Sequence, residues 1–178
     1  MKRVLYYALL AVSSILVLGF GSAHAQSGLP SVEADVAYTG EAVGVVSGGV
    51  DRGVVYLDNV DVMATAQSDS LVGWSGLTAF VYGLGNQGGT LSTRVGDAQV
   101  TSNIEAPLSW RLYEAWLQQT LGTRVSVLVG LYDLNAEFDV NRTGGLFLNS
   151  SHGIGAAFGL SGRNGPSIFP VTSLAARL

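Results

Sequence analysis

The chain has 178 residues, 13 Asp or Glu against 9 Lys or Arg, two His and no Cys, and it is 48% hydrophobic. Without cysteine there is no disulfide framework and no thiolate metal site. An acidic chain that lacks basic clusters excludes the electrostatic footprint of a nucleic-acid partner.

The N-terminus sets the compartment. Lys2 and Arg3 precede the apolar run "VLYYALLAVSSILVLGF", and Ala23-His24-Ala25 supplies the small residues of a cleavage site. That pattern predicts a secretory signal peptide over residues 1–25 and a mature domain over 26–178. A retained membrane anchor is the competing reading, because the run approaches bilayer length; the basic start and the A-x-A site favour cleavage. Losing Lys2 and Arg3 leaves seven arginines and no lysine, a mature net charge of 7 − 13 = −6.

The mature chain begins with period-two segments. From Glu33 to Glu41, Glu33, Asp35, Thr39 and Glu41 share one parity and Ala34, Val36 and Tyr38 the other. From Asn59 to Gln67, Asn59, Asp61, Thr65 and Gln67 alternate with Val60, Val62, Ala64 and Ala66, with Met63 the one exception. These predict half-buried antiparallel strands. The glycine-rich stretch Ser47 to Gly53 between them reads as a reverse turn. Leu77 to Leu84, "LTAFVYGL", predicts a third strand after the turn segment "SDSLVGWSG". Residues 85–107 are polar, rich in glycine and weakly periodic, and predict a long loop, of a length that is more often functional or disordered than idle.

The stretch "RLYEAWLQQTLGTRVSVLVGLYD", residues 111–133, admits two readings. Tyr113, Leu117 and Leu121 have the i, i+4, i+8 spacing of a helix, whereas Val125, Val127, Val129 and Leu131 alternate as a strand. Either a helix precedes a strand, or two strands form a hairpin turning at Leu121-Gly122-Thr123. In the hairpin reading Tyr113, Ala115, Leu117 and Leu121 share one side, with Gln119 breaking the rule, and Glu114, Trp116, Gln118 and Thr120 the other. Beyond Asn135 the pattern weakens, "IGAAFGL" fits a short helix or strand, and "VTSLAARL" predicts the opening of another strand.

Catalytic motifs are few. With His24 in the signal peptide, His152 is the only histidine of the mature domain, in the loop-like "NSSHGIG", so a multi-histidine metal site is excluded. "GWSGL" at 73–77 is not the G-x-S-x-G elbow. "GLGNQG" at 83–88 matches G-x-G-x-x-G, but no amphipathic helix follows it and an exported chain meets little NAD, so these glycines read as loop chemistry. No catalytic or metal-binding constellation stands out and no cofactor is implied; an enzyme is not expected.

An exported chain of alternating strands fits either a soluble β-sandwich, whose apolar face is its core, or an outer-membrane barrel, whose apolar face meets lipid. Tyr38, Tyr56, Tyr82, Trp110, Tyr113, Trp116 and Tyr132 lie toward strand ends in several cases, as girdles at a membrane interface do, and fit ordinary core or cross-strand aromatics equally well. In the sandwich alternative the protein binds carbohydrate, with Trp74, Trp110 or Trp116 as a stacking platform.

The ordered blocks "TGEAVGVVSGGVDRGVVYLDNVDV", "LVGWSGLTAFVYGLGNQGG", "VGDAQVTSNIEAP", "RLYEAWLQQ", "FLNSSHGIG" and "GPSIFPVTSLAARL" resemble the N-terminal part of the carbohydrate-selective porins of the OprB type, from about Thr39 to Leu178. The resemblance implies an all-β fold, an antiparallel transmembrane β-barrel of porin type, here incomplete with about five to seven strands. It makes 111–133 two adjacent strands, and the expected role passive diffusion of carbohydrates across the bacterial outer membrane. The partners it implies are carbohydrate solutes and outer-membrane lipid, with a homo-oligomer compatible. Such barrels use about sixteen strands, so a fragmentary or truncated copy is the expectation.

Candidate pore-lining residues are those on the polar parity: Glu33, Asp35, Glu41, Asn59, Asp61, Glu114, Trp116 and Gln118. In the long loop, Arg94, Asp97, Asn103 and Glu105 are the candidates to fold inward. The expected N-terminus of protein from the native host is Gln26, read by mass spectrometry; retention of residues 1–25 would overturn export by a cleaved signal.

Overall fold

The computed structural model describes residues 16–17, 31–68 and 75–178. The expected signal segment, apart from Leu16 and Val17, and its cleavage site lie outside the described residues, as does Trp74. Seven strands form one antiparallel sheet in chain order: β1 (Leu16–Val17), β2 (Ser31–Val45), β3 (Gly53–Ser68), β4 (Leu77–Gly88), β5 (Ser109–Leu121), β6 (Val125–Tyr132) and β7 (Ser173–Arg177). Two short helices, α1 (Ser92–Val95) and α2 (Ala156–Gly159), lie in the connections.

Residues 111–133 are a hairpin: β5 pairs with β6 from Ala115↔Leu131 to Leu121↔Val125. Tyr113, Leu117 and Leu121 look helical only because a spacing of four is also twice the strand period. Gly122 closes the turn at φ +67, a conformation that suits glycine. In the same way α2 settles the ambiguous "IGAAFGL", and β7 forms where the last segment predicted it.

The register carries side-chain alternation across the whole sheet. One row of partners runs Ala34, Ala64, Val81, Ala115, Leu131, Leu174, and the adjacent row runs Glu33, Thr65, Phe80, Trp116, Gly130, Ala175. The first row belongs to an apolar face, on which Val62, Val81, Leu117 and Val129 are about half exposed. The second belongs to a polar face. Among the described residues no second sheet covers the apolar face, so the two-sheet core of the sandwich alternative is absent.

The register breaks once. Between Tyr82 and Gly83 a bulge sets Glu114 and Leu112 opposite successive β4 residues and leaves Tyr113 as the extra residue. Simple parity places Tyr113 with Ala115 and Leu117; instead it packs edge-on to Tyr82 and bonds Asp133, on the polar face with Glu114. A one-residue insertion is invisible to a period-two count, which is why the expectation fails here.

The strands are also longer than alternation suggests. β2 runs on to Val45 and β3 starts at Gly53, through "AVGVV" and "VVYL", where alternation is lost because both faces are apolar. On the polar face Val43, Val45, Val55 and Leu57 are buried beneath Leu91 of the connection 89–108, forming the one compact hydrophobic cluster among the described residues. β4 likewise extends to Gly88, into what reads as loop.

Gly130 sits in β6 at φ +149, where a Cβ would lie 2.5 Å from Trp116 Cα and press on the β5 backbone. Gly130→Ala therefore costs more than about 1 kcal/mol through strain and loosened β5–β6 pairing. Urea titration in detergent, followed by far-UV circular dichroism, checks this, with Gly145→Ala, where a Cβ meets nothing, as the neutral reference.

Candidate functional site

The two long connections, 89–108 and 133–172, leave the sheet at the same end and both fold over the polar face. Leu91, fully buried, fills the space above Val43, Val45, Val55 and Leu57. Deeper in, Ser102 Oγ donates to Glu41 Oε2 at 2.7 Å, and Asn86 Nδ2 donates to Asn59 Oδ1 at 2.6 Å. The second connection docks on the first. Asn103 N donates to Leu148 O, Asn103 Nδ2 to Phe147 O, and Ser150 N to Val100 O.

Each candidate from the long loop has a structural task. Arg94 pairs with Asp51 and donates to Arg52 O at 3.2 Å, while its own carbonyl accepts from Val50 N and Asp51 N, tying α1 to the turn after β2. Asp97 Oδ2 accepts from Ser92 Oγ, Thr101 N and Thr101 Oγ1. Glu105 accepts from Ser92 N with both oxygens, at 3.1 and 3.3 Å, countering the N-terminal dipole of α1. Together with Asn103 these side chains fix the shape of the loop, and none of their hydrogen bonds reaches a polar-face strand.

The strand candidates all share the polar face. Glu41, Asn59 and Glu114 are buried there, Glu41 under Ser102. Asp61 Oδ1 accepts from Asn59 Nδ2 at 2.8 Å and from the Tyr82 hydroxyl at 2.5 Å. Glu114 Oε2 accepts from Trp116 Nε1 at 3.1 Å and Asp133 N at 3.2 Å. Gln118 Oε1 accepts from Arg177 Nη2 at 2.6 Å, and Arg177 also pairs with Glu137. Glu33 and Asp35 lie farther down β2 on the same face, Glu33 exposed and Asp35 half-buried. The result is a polar ladder running from Asn86 through Asn59 and Asp61 to Tyr82.

Sequence reading misses Phe80, Tyr82, Tyr113, Asp133 and Arg177 as members of this surface. Phe80 and Tyr82 share a parity in "LTAFVY", a usable signal once β4 is oriented; Tyr113 needs the bulge. Tyr82, Tyr113, Trp116 and Tyr132 belong to the polar face, which corrects their reading as girdle residues. Tyr38, Tyr56 and Trp110 stay on the apolar face. There Tyr38 and Tyr56 share a hydroxyl bond and Tyr38 donates to Asp58 Oδ2. Trp110 lies across Gly85, where a Cβ would come within 2.8 Å of the ring.

Among the described residues no three His, Cys, Asp or Glu side chains gather as a metal-ligating group, and no helix is long and apolar enough to cross a membrane, a criterion that does not bear on β-barrels. Comparison with protein families gives a match to the carbohydrate-selective porin, OprB family, over residues 51–178. No match was found among curated proteins or solved structures.

Leu91→Ala is expected to cost about 2–5 kcal/mol of loop docking, the range for emptying a well-packed leucine site. Limited proteolysis checks it: cleavage within 89–108 should rise well before the strands unfold, and an unchanged cleavage pattern would show that polar contacts alone hold the loop.

Proposed function

The chain belongs to the carbohydrate-selective porin, OprB family, and from that premise we propose that it forms part of an outer-membrane β-barrel wall past which carbohydrates diffuse passively. One observation carries this reading. A single sheet presents an exposed, largely apolar face, with Asp58, Gln87 and Gln119 as its polar interruptions, opposite a polar face onto which its long loops fold. In a barrel the first face meets lipid and the second meets water. Every strand backbone then finds its partners within the wall, as hydrocarbon demands.

The assignment of ends follows the loops. Barrels of this kind have short periplasmic turns and longer extracellular loops, so 89–108 and 133–172 mark the extracellular end and the tight turn at Gly122 the periplasmic one. Tyr38, Tyr56 and Trp110 then sit on the lipid side toward the extracellular interface. With residues 1–25 removed, the outer strands of the mature sheet are β2 and β7, which do not pair with each other. A closed wall therefore takes further strands, supplied by more chain or by other copies.

Passage needs no covalent step. A neutral, hydroxyl-rich solute exchanges water for weak hydrogen bonds and must leave as readily as it enters. Asp61, Glu114, Trp116 and Gln118 are the proposed lining residues. Glu41 and Asn59 support the wall beneath the loop. Arg94, Asp97, Asn103 and Glu105 shape the segment that narrows the passage, so their loss is expected to widen or loosen it.

Two measurements test this. After a salt wash the chain should stay with the outer membrane and require detergent for release; release with the periplasmic fraction would falsify the proposal. Cysteine at Asp61 should react with a membrane-impermeant thiol reagent while cysteine at Val62 stays protected, and Val62→Arg should cost roughly 2–4 kcal/mol if it lies near the bilayer midplane. The reverse labelling pattern would invert the assignment of faces.

A further inference from the structure

The polar face carries an unbroken line of aromatic rings. Phe169, in the connection 133–172, lies 6.3 Å from Tyr113; Tyr113 lies 4.9 Å from Tyr82; Tyr82 lies 6.4 Å from Phe80; and Phe80 stacks on Trp116 at 5.0 Å with planes 29° apart. Tyr82 and Phe80 are two residues apart along β4, so the line descends the strand from the loop end toward the turn end. Large apolar rings gain nothing from facing water, and the apolar face is available to take them. Their place on the polar face asks for a ligand.

The surroundings say which. Each ring with a polar atom has it tied to a carboxylate: Tyr82 to Asp61, Tyr113 to Asp133, Trp116 to Glu114. These bonds fix ring orientation and set acceptor oxygens at the ring edges. Among the described residues nothing donates to Asp61 Oδ2 or Glu114 Oε1, and neither oxygen is sealed from water. Beside the lowest pair the register supplies Thr65 next to Phe80, and Gly130 then Ala175 next to Trp116, so small neighbours leave room around the rings. A C–H-rich ring face needs a flat apolar surface, and equatorial hydroxyls need acceptors at its margin.

We propose that Phe169, Tyr82, Phe80 and Trp116 form a stacking track for neutral pyranosides, with Phe80 and Trp116 as its lowest platform and Asp61 and Glu114 as hydroxyl acceptors. Tyr113 is buried and acts as the link that positions Tyr82. This deepens the porin reading and rests on it for the direction of travel; the binding chemistry stands on the rings themselves.

The test is saturation-transfer NMR on the full chain in detergent, with methyl β-glucopyranoside as probe and glycerol as the hydroxyl-bearing control without a ring face. Transfer should reach the C–H protons of the pyranoside and not those of glycerol. Trp116→Leu, which keeps apolar bulk, should weaken pyranoside binding at least about threefold, the lower part of the range for an aromatic contact; Trp116→Phe should restore most of it. Trp110→Leu, on the opposite face, should change nothing. Should Trp116→Leu fold poorly by circular dichroism, Phe80→Leu is read in its place. Equal binding by the leucine variants, or equal transfer to glycerol, would overturn the track while leaving outer-membrane fractionation, and with it the porin reading, intact. A chain that fractionates with the periplasm but loses pyranoside binding in Trp116→Leu would keep the track and overturn the porin.

Discussion

Everything in this protein depends on antiparallel pairing that holds its register from β2 to β7. Because side chains alternate with period two, each cross-strand partner inherits the face of its neighbour. Fixing Val36 opposite Val62 fixes Gly83 and Leu112 as well. A slip of one residue in any strand would carry Asp61 or Glu114 onto the apolar face and Val62 or Ala115 onto the polar one, an exchange too costly to be tolerated.

The single departure from that rule is where the polar face acquires its aromatic character. The bulge opposite Tyr82 and Gly83 turns Tyr113 inward beside Glu114, so two consecutive residues of β5 serve one face. Tyr113 can then touch Tyr82 below it and Phe169 above, linking the sheet to the connection 133–172. The Thr172 hydroxyl donates to Tyr113 O, and Arg111 Nη1 donates to Pro170 O, holding that connection down. A local irregularity in pairing thereby couples a loop to the wall.

The loop 89–108 follows a different logic. It is anchored by apolar burial at Leu91 and tied at its margins by the Arg94–Asp51 pair and by Ser102 on Glu41. Charged side chains there bond within the loop and to the turn after β2, and so hold the loop's shape. The proposed lining falls instead on strand residues such as Asp61 and Trp116, which the sheet holds in rows.

Sequence alone determined a good deal. The family blocks, the period-two parity of β2, β3 and β6, and the shared face of Glu41, Asn59, Asp61, Glu114, Trp116 and Gln118 are legible because alternation is a local property and survives any tertiary arrangement. What only the tertiary structure decided are the features that depend on a distant segment. The apolar runs at Val43–Val45 and Val54–Leu57 carry no period, since one face is exposed and the other is covered by Leu91 from far along the chain. The inward turn of Tyr113 requires a partner strand against which to bulge, and a residue's own neighbours in sequence hold no record of that partner.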